Sequence, residues 1–218
     1  TMFVGAGSLG EIIHVPTDYP TIQLAIELSH AGDTIIVAPG AYYEAINVWK
    51  SITLQSINPN DPKVVGATII NAGGLGNVVT LTNNWILDGF TITGGTIGID
   101  AHRQNGAIRH CIIRDNSSSG IYQGGGMIDD CQILNNNVGL DDCANSNIQR
   151  CVIQGNKNAG LKDSGYIQDS RIEGTLSGHG VHGGNGNILR CIIAGNGGSG
   201  IFAHNGGIWQ SVIVGNSG

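Results

Sequence analysis

Residues 98–218 decide the fold, because one phrase is written there six times. The copies run from GIDAHRQNGAIRHCIIRDNSSS (98–119) through GLDDCANSNIQRCVIQGNKNA (139–159) to GIFAHNGGIWQSVIVGNS (200–217). Each opens with Gly and an aliphatic residue and passes a variable polar patch. It then reads Ile, two polar residues, Cys or Ser, any residue, Ile and usually Asn. The opening glycines are Gly98, Gly120, Gly139, Gly160, Gly180 and Gly200, with Gly218 beginning another. Steps of 18 to 22 residues exclude heptads and helical-hairpin repeats, which need roughly 30 residues or more.

Aligned on this period, three columns are aliphatic. They are Ile108, Ile128, Ile148, Ile167, Ile188, Ile208; then Ile113, Ile133, Ile153, Ile172, Ile193, Ile213; then Ile99, Ile121, Leu140, Leu161, Val181, Ile201. Three short β-prone runs per period, parted by Gly, Asn, Asp and Ser, cannot be helices. One coil per period stacks like residues about 4.8 Å apart, the spacing of neighbouring strands. The chain is therefore expected to be a parallel β-solenoid of eight to nine coils with a continuous aliphatic core.

The remaining columns read as structure. Cys111, Cys131, Cys151, Ser170, Cys191 and Ser211 lie two residues from an Ile column and are expected inside as free thiols, Ser replacing Cys as a small core residue. Cys143 stands outside that column and is expected to be the reachable thiol. Asn116, Asn136, Asn156, Thr175, Asn196 and Asn216 read as an asparagine ladder at a turn, Asn tolerating left-handed backbone. His110, Asp130, Arg150, Asp169, Arg190 and Gln210 alternate in sign over four coils. They are expected to fix the stacking register as a charge ladder.

Composition bounds the rest. There are 36 glycines, 5% aromatic residues, ten basic residues and a net charge of −6. That suits a turn-dense solenoid, and no basic aromatic surface suggests nucleic acid as a partner. No apolar run approaches the roughly 18 residues of a membrane span. Residues 1–10 read as a tag, linker or docking segment, and 11–218 as a single β-helix domain. Residues 11–40 are its N-terminal cap and first coil, and 98–218 its regular repeats. Glu11–Val15 reads as a first strand. Pro20 then leads a helix with Ile22, Ala25, Ile26 and Leu28 or Ser29 on one face, ending at Gly32 and Asp33. INPNDPKVVGAT (57–68) is a polar excursion of the kind that walls binding grooves. Trp85, beside Asn83 and Asn84, reads as a packed Trp, with a sugar-stacking platform as the alternative.

The run IIHVPTDYPTIQLAIELSHAGDTIIVAPGAYYEAINVWKSITLQS (12–56) resembles the N-terminal cap and first coils of the pectate-lyase-like superfamily, and the Gly-Ile/Asn repeats match it too. The resemblance implies a right-handed parallel β-helix, an amphipathic helix closing its N-terminal end, and an extracellular or periplasmic setting. It implies polysaccharide lyase, epimerase, hydrolase or esterase activity as options. The chain carries none of the superfamily's catalytic phrases, so the fold carries over and no catalytic residue does.

Only the patch after each opening Gly is free to specialise. Its second position reads Asp100, Tyr122, Asp141, Lys162, His182, Phe202 and faces outward by strand alternation. Tyr122, Asp141, Lys162 and His182 are the candidate catalytic residues. For a lyase or epimerase acting on a uronic acid, Lys162 or His182 takes the C5 proton and Tyr122 is the acid. For hydrolysis, Asp100 with Asp141, or Asp141 with Asp163, supplies acid and base. Asp100, His102, Phe202 and His204 are candidate substrate contacts. Asp142 and Asp163, stacked on adjacent coils, are a candidate Ca²⁺ site. The expected partner is an acidic or neutral polysaccharide. The competing reading is an extracellular structural solenoid, uncapped at its C-terminal end, that self-associates head to tail.

Overall fold

In the computed structural model, residues 10–218 are described; residues 1–9 of the expected N-terminal segment lie outside them. The chain winds as an all-β, right-handed parallel β-solenoid of about 10 turns. Three parallel sheets run along it, one strand from each in most coils. The first has ten strands, from Ile12–Val15 and Thr34–Val37 to Ile208–Trp209. The second has nine, from Gly40–Tyr42 to Val212–Val214, and the third eight, from Ile46–Val48 to Ile201–Phe202. The count exceeds the expected eight to nine because the first coils depart from the repeat phrase.

The three aliphatic columns form the core. Ile99, Ile121, Leu140, Leu161 and Val181 are fully buried, as are Ile113, Ile133, Ile153, Ile172 and Ile193. Each such burial is worth about 1.5–3 kcal/mol. In the last coil the equivalent Ile213 is 46% exposed and Ile208 44%. Cys111, Cys131, Cys151 and Cys191 line the inside, and all five cysteines are free.

The opening glycines are there for closeness. A Cβ on Gly98, Gly120 or Gly139 would fall 2.5, 2.7 and 2.4 Å from the carbonyl oxygen of the next coil's glycine. Side chains cannot enter without forcing coils apart.

Turns are made by single residues in left-handed backbone. Between the first and second sheets these are His110, Asp130, Arg150, Asp169, Arg190 and Gln210, with φ from 48° to 52°. Between the second and third they are Asp115, Asn135, Gly155, Gly174, Gly195 and Gly215. The left-handed residue there is thus the one before the Asn column, and the asparagines themselves are buried. Asn136 Oδ1 accepts from both the backbone N–H and the Nδ2 of Asn116, each at 3.0 Å. Asn156 does the same for Asn136 at 2.9 and 3.3 Å.

The charge column pairs differently from expectation. Only Asp169 and Arg190 bond within it, at 2.6 and 2.7 Å. Arg150 instead reaches Asp129 at 2.5 Å, and His110 Nδ1 lies 2.7 Å from Asp88 Oδ1. Asp88 and Asp129 end first-sheet strands one coil earlier, and their carboxylates are 13% and 11% exposed. Asp130 points into water, so the better-desolvated carboxylate wins the guanidinium.

Helix α1 (Ile22–Leu28) closes the N-terminal end. Ile22, Ala25, Ile26 and then Ser29 face the core, while Leu28 is half exposed. Glu44 accepts from the N–H groups of Ile22 and Gln23 at 3.0 and 2.9 Å. Lys50 Nζ donates to the carbonyls of Glu27 and Ser29 at 2.8 and 2.6 Å. Both helix ends are therefore satisfied by the following coil, with charges suited to the dipole. The 57–68 excursion folds as α2 (Pro62–Ala67), N-capped by Asp61. Val65 is buried, and Thr91 Oγ1 donates to its carbonyl at 3.0 Å, so α2 packs on the second sheet.

Asn136→Ala leaves the buried Asn116 N–H without its acceptor, a loss of about 1–3 kcal/mol. Gln132→Ala, at an exposed position whose side chain makes no hydrogen bond among the described residues, is expected to change stability by about 0.5 kcal/mol or less. Denaturant midpoints of the two variants check this.

Candidate functional site

The outward row of the third sheet is built by strand register. Asp100 pairs with Tyr122, Tyr122 with Asp141, Asp141 with Lys162, Lys162 with His182 and His182 with Phe202. Thr80 and Asn47 continue the row towards α1. From Asp100 to His182 each residue is held because its inward neighbour (Ile99, Ile121, Leu140, Leu161, Val181) is locked in the core, whereas Ile201 beside Phe202 is only partly buried. Successive groups therefore stand about 4.8 Å apart.

Three local associations form along it. Asp100 is 7% exposed, accepts from Asn77 Nδ2 at 3.1 Å and the His102 N–H at 3.3 Å, and lies 3.7 Å from His102 Nε2. Lys162 Nζ lies 3.3 Å from Asp141 Oδ1. At the far end His179 stacks on Phe202, with ring centroids 4.5 Å apart and planes 8° from parallel, and His182 meets both edge-on at 5.4 Å. The Ser199 N–H donates to His179 Nδ1 at 3.0 Å, so the neutral ring carries its proton on Nε2. Neither Tyr122 nor His182 has a hydrogen-bonded side-chain partner among the described residues.

Separation along the row restricts the chemistry. Tyr122 and His182 are three coils apart, about 14 Å by backbone, too far to serve one sugar ring together. Asp100 and Asp141 are two coils apart, about 10 Å by backbone, against the roughly 6.5–9.5 Å between the carboxylates of inverting glycosidases. Lys162 and His182 are adjacent.

The next position departs from alternation. Gln123, Asp142, Asp163, Gly183 and Ala203 all have φ between 49° and 74°, which ends the strand and rotates the residue after it. The fourth position consequently turns inward, where Gly124, Cys143 and Ser164 are buried. This overturns the expectation for Cys143. Its thiol is fully buried, accepts from the Gly124 N–H at 3.3 Å, and has its pKa pushed up to about 12 by burial. His204, at the same position, is half-buried with Nδ1 3.0 Å from the Gly183 carbonyl, and so stands apart from the row.

Asp142 is held by Arg103, with Gln123 Nε2 at 3.3 Å. The Arg103 hydrogen bond holds its carboxyl below the usual carboxylate range. Asp163 is exposed. Among the described residues no three metal-ligating side chains gather, so Ca²⁺ at Asp142 and Asp163 would need ligands from substrate or water. Trp85 is 3% exposed under Gly106, so it packs and offers no stacking face. Four hollows of the structure lie away from the row, and α2 walls one beside His110 and Asp130.

Sequence reasoning missed His179, Arg103 and Asn77. His179 had a signal, three residues before His182 and following Gly178. Arg103 had none, because it reaches across two coils.

A family model described as "Right handed beta helix region" matches residues 54–217. No curated protein sequence matches the chain. Among solved structures, the chain is similar to pectate lyase Pel9A, with a TM-score of 0.70 and 15% identity over 91% of this chain and 67% of that one. It is also similar to an alginate lyase from Paenibacillus sp. str. FPU-7 (TM-score 0.61, 12% identity, 92% and 98% covered). A third is a pectin methylesterase from Aspergillus niger (0.64, 12%, 95% and 86%). At these identities the likeness is one of fold.

A thiol reagent at pH 8 is expected to label none of the five cysteines in the native protein and all five after unfolding. Labelling of native Cys143 at a free thiol's rate would contradict its inward placement.

Proposed function

The chain belongs to the right-handed β-helix region family, and on that premise we propose that it is an extracellular protein that binds and processes a polysaccharide. The polymer lies across coils on the Asp100–Phe202 row, so that successive sugars meet successive side chains. One observation carries this reading: a register-locked row of hydrogen-bonding and aromatic groups, held outward from Asp100 to His182 by buried aliphatic neighbours. The fold-level likeness to a pectate lyase, an alginate lyase and a pectin methylesterase supports the same substrate class.

Within that class, elimination on a uronic acid suits the row best. An ammonium holding a carboxylate is a poor proton acceptor, so Lys162 offsets charge and does not act as the base. Its pair with Asp141 is half exposed and worth about 0–1 kcal/mol, so a sugar carboxylate can take Asp141's place. His182, one coil away with uncommitted ring nitrogens, takes the C5 proton. The electron pair forms the C4–C5 double bond, the C4–O bond breaks, and the leaving oxygen is protonated from solvent. Tyr122 and Asp100 position neighbouring sugars, and Phe202 with His179 presents an apolar face to a ring. Asp141, once displaced from Lys162, and the exposed Asp163 leave the surface acidic, so a polyuronate is expected to bind better with Ca²⁺ present.

The test is incubation with polygalacturonate and with alginate, reading the ultraviolet absorbance of unsaturated uronate. His182→Ala is expected to lower the rate by about 10²-fold or more, and Lys162→Met to raise KM. Absence of product and of binding with both polymers, with and without Ca²⁺, would overturn the proposal.

A further inference from the structure

A separate hollow of about 330 Å³ opens on the turn that leads from the third sheet to the first, within the size of small-ligand sites. Three coils build it. Thr53 pairs with Ile86 and Ile86 with Ala107, so Ser51, Asn84 and Asn105, each two residues earlier, line up on its rim. All three are exposed, and their side chains make no hydrogen bond among the described residues. Ile52 and Ala107 give it an apolar wall.

Trp85 lies in that wall almost wholly buried; its indole N–H has no hydrogen-bond partner among the described residues and is closed to solvent, so its signal reports on what sits over the ring. Gly106 lies against the ring so closely that a Cβ would be 2.6 Å from it. A glycine here lets the turn pass over the indole without a side chain filling the space.

No Asp, Glu, Lys, Arg or His lines the hollow. An ionic ligand would lose its hydration without a counter-charge. A purely apolar one would leave the Ser51 hydroxyl and the two amides unmatched. The chemistry that fits is an uncharged molecule with an apolar side and a ring of hydroxyl groups. We infer that this hollow binds a neutral saccharide unit, held by the Ser51 hydroxyl and the Asn84 and Asn105 amides against the apolar wall that covers Trp85. It lies away from the Asp100–Phe202 row, has the opposite electrostatic character, and stands whether or not that row acts on uronates.

The test is nuclear magnetic resonance of the full ¹⁵N-labelled chain. The indole signal of Trp85 is assigned by elimination with Trp49→Phe and Trp209→Phe, both at exposed positions. Cellotetraose, mannotetraose, galactotetraose and tetragalacturonate are titrated in turn. The expected result is a saturable shift of the Trp85 indole signal with at least one neutral tetrasaccharide. Asn84→Ala and Asn105→Asp should each weaken it about tenfold or more, while Lys162→Met leaves it unchanged. Failure of all three neutral sugars to move that signal overturns the inference. So does a larger shift with tetragalacturonate, or a shift insensitive to both Asn variants.

Discussion

Every coil of this protein depends on its neighbour coming within strand distance. At that spacing Ile rows close into a dry core, backbone groups pair between coils, and nothing larger than hydrogen fits at the opening glycines. A Cβ at Gly139 would sit 2.4 Å from the next coil's carbonyl oxygen. The buried asparagines work within the same limit, because an amide oxygen accepts two N–H groups only when the coils are this close. Aliphatic burial drives the stacking, and the glycines and amides set its register.

That register gives the surface its meaning. Strand alternation turns an accident of sequence into a row, with Tyr122, Asp141, Lys162 and His182 in succession because Ile121, Leu140, Leu161 and Val181 are fixed beneath them. The same spacing sets limits on the chemistry. Groups one coil apart can share a sugar ring and groups three coils apart cannot, which favours Lys162 with His182 over Tyr122 with His182. Surface character then differs around the solenoid. The row carries the carboxylates of Asp100 and Asp141 and the ammonium of Lys162, whereas no charged side chain lines the hollow over Trp85.

The core columns, α1 and the outward row were legible in the sequence because each derives from period and alternation alone. Ile99 to Val181 needed only alignment. Cys143 was misread because alternation was carried one residue past its end. Asp142, with φ of 56°, had already turned the chain, and the next side chain faced inward. The salt links were half legible. The alternating column was visible, but Arg150 and His110 reach back to Asp129 and Asp88, a choice made by local desolvation that one-dimensional alignment does not display. The first coils were undercounted for a related reason, since α1 and α2 interrupt the phrase while the strands beside them keep stacking. The hollow over Trp85 joins residues from three turns that share no motif, and only coordinates bring them together.

On the proposed function, register on the third sheet, fixed from within, makes the Asp100–Phe202 row the surface that receives a glycan. The most direct measurement is a crystal structure of the protein soaked with an oligouronate of four or more units in the presence of Ca²⁺. The glycan is expected to run across the coils, with a carboxylate on Lys162 and a ring hydrogen facing His182. Saccharide density confined to another face, with the row left unoccupied, would contradict it.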